Sequence, residues 1–72
     1  MERDWTAHTK ALLRSEMVKR GVSYKGLVDA LAAIGISETE ANLRNKISRG
    51  KFTAVFFIQC LEAIGSNGLR LD

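Results

Sequence analysis

Four glycines, Gly21, Gly35, Gly50 and Gly65, punctuate a chain without proline, and each stands just beyond a segment whose apolar residues recur at helical spacing. Glycine suits the backbone that closes a helix, and a side-chain oxygen just before a segment caps the unpaired N–H groups that open one. Between these stops the sequence predicts helices over about residues 5–20, 24–34, 38–49 and 54–64, opened by Asp4, Ser23, Ser37 and Thr53. The expected fold class is all-α: a compact four-helix domain with no strands.

The faces differ in kind. In the first helix Trp5, Leu12, Leu13 and Met17 lie toward one side, the least regular of the four. In the second, Tyr24, Leu27, Val28, Leu31 and Ile34 recur at offsets of three and four, opposite Lys25 and Asp29. Ser37 followed by Glu40 fits the capping box that starts a helix, and in the third helix only Leu43 and Ile47 form a strong apolar pair. The fourth carries Phe56, Phe57, Ile58, Cys60, Leu61 and Ile64 over more than half its circumference, so it is either central to the core or partly covered by another chain. Residues 66–72 make a short tail, extended or frayed, in which Leu69 and Leu71 alternate with Arg70.

At 72 residues the chain is one domain, 1–72, and buries only about 60% of its unfolded surface, which makes it marginally stable. A hydrophobic share of 46% nevertheless places it among folding chains rather than disordered ones. No apolar run approaches the roughly 18 residues that span a bilayer, and no hydrophobic segment follows Met1-Glu2-Arg3-Asp4-Trp5, so a cytoplasmic protein with no membrane partner is expected. Cys60 is alone and cannot form an internal disulfide, and no cysteine and histidine cluster exists to hold zinc. No metal, cofactor, small-molecule substrate or enzymatic activity is expected: the sequence places no carboxylate or cysteine at motif spacing from His8, Cys60 lies in the most apolar helix, and no glycine spacing matches a phosphate loop.

The charge is more informative. Residues 41–51 hold Arg44, Lys46, Arg49 and Lys51 and no acid, so this stretch carries +4 in a chain whose total is +3. With Leu43 and Ile47 facing inward, Glu38, Ala41, Asn42, Asn45 and Arg49 turn outward and Arg44 and Lys46 flank them. Asn pairs with adenine and Arg with guanine through two hydrogen bonds each, so such a helix has the chemistry for reading base edges, with cations at its end reaching phosphates. The bland alternative is a solvated face whose cations serve the helix dipole.

The run Gly21-Val22-Ser23-Tyr24 with Leu27, then Gly35-Ile36-Ser37, then Asn42-Leu43-Arg44-Asn45-Lys46-Ile47-Ser48-Arg49-Gly50-Lys51-Phe52-Thr53 with Phe56-Phe57 and Cys60-Leu61, resembles an uncharacterised family of small bacterial domains of unknown function. More loosely, the layout is similar to lambda-repressor and Cro-type helix-turn-helix domains, with Leu27 and Leu31 in the second helix, Gly35 before the third, and Arg49-Gly50 closing it. The stretch from Leu27 to Gly35 is longer than that pattern, so base contacts follow from the helical wheel rather than from residue-by-residue transfer.

The expected function is sequence-selective binding of double-stranded DNA by a small bacterial or phage-borne transcriptional regulator. Asn42, Asn45 and Arg44 read bases, and Tyr24, Lys46, Arg49 and Lys51 hold the backbone. A homodimer is expected through Phe56, Phe57, Leu69 and Leu71, since one small domain makes few contacts on its own. The rival is a protein-interaction module that docks through the apolar fourth helix and binds no DNA.

Overall fold

The computed structural model describes residues 4–69 and 71; positions 1–3, 70 and 72, including Arg70 of the tail, lie outside the described residues. Four helices form, α1 (Trp5–Lys19), α2 (Tyr24–Ala33), α3 (Glu40–Arg49) and α4 (Ala54–Ala63), with no strand among the described residues. Asp4, Ser23 and Thr53 cap α1, α2 and α4 as the sequence predicts, accepting from the N–H groups of Ala7, Gly26 and Phe56 at 3.1, 3.0 and 3.0 Å. Three helices end alike: Val22, Ile36 and Ser66 donate back to the carbonyls of Met17, Leu31 and Leu61, which is the Schellman closure.

The start of α3 departs from expectation. Thr39, not Ser37, is its cap, accepting from Asn42 N at 3.1 Å, so the helix opens two residues later than the capping-box reading places it. Tertiary contacts settle the choice. Ile36 packs against the core, and Glu38 turns its carboxylate onto Lys46, which holds residues 36–38 outside the helix.

Each helix supplies one buried pair four residues apart: Leu13 and Met17, Leu27 and Leu31, Leu43 and Ile47, Phe56 and Cys60. That offset puts both members on one side of a helix, and the four sides meet in a single core. Trp5, expected on the inner side of α1, is instead 68% exposed, and Ile34, the residue that caps the end of α2, is half exposed. The inward stripe of α1 runs through Thr6, Lys10, Leu13 and Met17. Its N-terminal half faces the α3 terminus at Gly50, where Lys10 Nζ donates to the Ser48 carbonyl at 3.3 Å.

The backbones pack in the pairs α1 with α3, α3 with α2, α2 with α4 and α4 with α1, which closes a ring. Glu16 is the buried acid of α1: Lys19 Nζ at 3.1 Å, Arg20 Nε at 3.5 Å and the Ser66 hydroxyl at 3.0 Å surround its carboxylate, tying the tail to α1. The Lys19 and Ser66 hydrogen bonds hold its carboxyl below the ordinary value. Cys60 is fully buried, and that burial pushes its thiol up to about 12. No helix among the described residues is long and apolar enough to cross a membrane.

Candidate nucleic-acid interface

Leu43 and Ile47 anchor α3 in the core at zero exposure, which fixes the rotation of the helix about its axis. Asn42, Asn45 and Arg49 then fall in one outward stripe, all exposed. They border a shallow groove of about 450 Å³ that runs from α3 to the start of α4 and takes in Lys46, Lys51 and Thr53, with Phe52 and Phe56 on its apolar wall. Five of the seven residues expected to meet DNA therefore converge here. Tyr24 and Arg44 do not: they line a separate depression on the other flank of α3.

The electrostatics are more selective than the sequence count. Arg44 binds Glu40 Oε2 through Nη2 at 2.8 Å and Nε at 3.2 Å, and its guanidinium carbon lies 4.8 Å from the centre of the Tyr24 ring. Lys46 Nζ lies 2.6 Å from Glu38 Oε2 and 4.8 Å from the centre of the Phe56 ring. Because the Glu38 side chain is only 11% exposed, water screens this pair less than a surface pair, and Lys46 works as a strut between the α2–α3 connection and α4. The acids that answer the stretch 41–51 stand just before it and fold back. Among the described residues, Arg49 and Lys51 are its cations without an acidic partner.

The aromatic wall is packed on α4: Phe52 sits 5.6 Å from Phe56 and 5.8 Å from Phe57 by ring centroids. Of the residues expected at a dimer contact, Phe56 is 7% exposed and belongs to the domain's own core, Phe57 and Leu69 are half-buried, and Leu71 is 63% exposed. Val55 and Ile58 are the large apolar residues that α4 presents to solvent, at 66% and 59%.

A family model described as a domain of unknown function, DUF6471, matches residues 5–69. The chain belongs to this family. No curated protein and no solved structure matches it. The span shared with DUF6471 begins at the first residue of α1 and ends beyond Ser66, so the family's domain takes in all four helices and both ends of the bond between Glu16 and the tail.

Sequence reasoning missed Arg14. It stands in α1 and donates from Nη1 to the Tyr24 hydroxyl at 2.7 Å, on the far side of the Gly21 turn. Only the fold brings those two together.

Proposed function

We propose that this domain binds double-stranded DNA sequence-selectively, as a small transcriptional regulator, with α2 and α3 acting as a helix-turn-helix-like unit and the outer face of α3 in the major groove. The observation that carries the reading is the exposed stripe of Asn42, Asn45 and Arg49 beside Lys51, a cation with no acidic partner among the described residues. In this reading Asn42 and Asn45 meet adenines, and Arg49, expected from the sequence to hold the backbone, meets a guanine instead because it shares their exposed stripe, each through two hydrogen bonds. Lys51 lies past the end of α3 and reaches only phosphate. Arg44, expected from the wheel to read bases, goes instead to the backbone side with Tyr24, because Glu40 and the Tyr24 ring hold it on the flank.

Two copies on a two-fold site would supply the affinity that one small domain lacks. The surface suited to pairing is the outer side of α4, where exposed Ile58 shares a groove with Leu69. The same exposed Val55 and Ile58 are what favours the rival reading, a module that docks on another protein.

Selection from random duplexes at near-physiological salt tests the proposal, with an enriched motif expected. Asn45→Ala should then cost about 1–3 kcal/mol on the selected site and relax one base pair. Lys51→Ala should weaken all duplexes alike and lower the salt slope by about 0.9. Leu43→Ala is the unfolding control, at about 2–5 kcal/mol of stability. No enrichment, with the domain folded, would move the interaction module ahead.

A further inference from the structure

The second depression beside α3 has its own chemistry. Arg14 from α1, Tyr24 and Lys25 from the start of α2, and Arg44 from α3 line one groove of about 250 Å³. The guanidinium carbons of Arg14 and Arg44 lie 5.2 and 4.8 Å from the centre of the same Tyr24 ring. Arg44 has a carboxylate in Glu40, but among the described residues neither Arg14 nor Lys25 forms an ion pair. Two positive charges are therefore left uncompensated in a concave surface. The hydrogen bond from Arg14 Nη1 to the Tyr24 hydroxyl fixes the guanidinium and leaves its remaining N–H donors available. Glu40 also lines the groove, but its carboxylate is taken up by Arg44, and a planar fork of donors with surplus charge suits a tetrahedral oxyanion.

We infer that this groove binds a phosphate oxyanion, held by Arg14 and Lys25 with Arg44 behind them. Resting on the DNA reading, its occupant is a backbone phosphodiester beside the bases that α3 meets, so α1 takes part in binding. A free phosphate compound offers the same chemistry and is distinguished by the experiment.

The side-chain Nε–H resonance of Arg14 in the full chain is followed by NMR in two titrations. One uses the selected duplex; the other uses inorganic phosphate against chloride at equal ionic strength. The duplex should shift the resonance, and Arg14→Gln should weaken every duplex roughly tenfold and lower the salt slope by about 0.9. Arg14→Lys, which keeps the charge, should restore the slope. Should Arg14→Gln bind with unchanged affinity and slope while Asn45→Ala still loses its preference, the phosphate site is overturned and the DNA reading stands. Should no duplex bind, the DNA reading fails and inorganic phosphate decides alone: a saturable shift at Arg14 upholds an oxyanion site, and the absence of one overturns it.

Discussion

Gly21 and Gly50 hold the same left-handed backbone angle, φ +68°, but only one of them is hemmed in. A methyl group on Gly21 would meet nothing within 4 Å, whereas on Gly50 it would stand 2.7 Å from the Thr6 carbonyl oxygen, 3.0 Å from Thr6 Cγ2 and 3.2 Å from Lys10 Cβ. The nearest of these is α1 backbone, so α1 itself must move. Gly21→Ala should carry only the left-handed strain, about 1–2 kcal/mol. Gly50→Ala should add an overpacking cost of about 1–3 kcal/mol. Each kcal/mol is worth about 4–8 °C in a domain of this size, so melting followed by far-UV circular dichroism should fall by roughly 4–16 °C for Gly21→Ala and roughly 8–40 °C for Gly50→Ala. A domain this small holds about 4–11 kcal/mol in total, and the second variant would lose a large share of it. Equal losses in the two variants would refute the reasoning, for they would mean that α1 does not press on the end of α3.

The Glu16 carboxyl titrates below its ordinary value of 4.5, so its stabilising effect is complete above that pH and fades as pH falls through the lower folded value. Urea midpoints measured down an acid series should therefore show a steeper loss in the wild type than in Glu16→Gln, and identical acid profiles would contradict the role of Lys19 and Ser66. The Cys60 thiol, fully buried and raised to about 12, should resist a disulfide reagent at neutral pH and react only at the rate of unfolding; rapid labelling of the native domain would show that α4 is not packed as described.

The helices and the buried pairs were legible because local spacing encodes them: Leu27 with Leu31 and Leu43 with Ile47 declare their faces without help. The start of α3 was not, because Ser37 and Thr39 both offer a capping oxygen, and Glu38 chooses between them through Lys46, eight residues away. The inner stripe of α1 was hidden for another reason. Thr6 and Lys10 are polar yet lie against α3 at Gly50, where the neighbour is backbone rather than a hydrophobic surface, so nothing there selects for apolar side chains. Trp5 stood out instead and pointed to the wrong side. At the candidate site, the outward placement of Asn42, Asn45 and Arg49 followed from the wheel alone, while the charge of residues 41–51 misled because its partners Glu38 and Glu40 sit just outside the window. Arg14 needed a tertiary contact to be seen at all.

The ring of helices has a kinetic meaning. The backbones of α1 and α2 do not pack on each other, nor do those of α3 and α4, so α2 with α3 is the sole helical hairpin that a growing chain can form from neighbours. The remaining pairs, α2 with α4 and α1 with both α3 and α4, join helices that are not neighbours in the chain. Late closure of this kind raises the entropic barrier above that of an up-and-down bundle. It also binds the domain into one cooperative unit: a fragment lacking α1 would lose the floor under the end of α3 and one wall of α4 together, and slow amide exchange should vanish from all the helices at once rather than helix by helix.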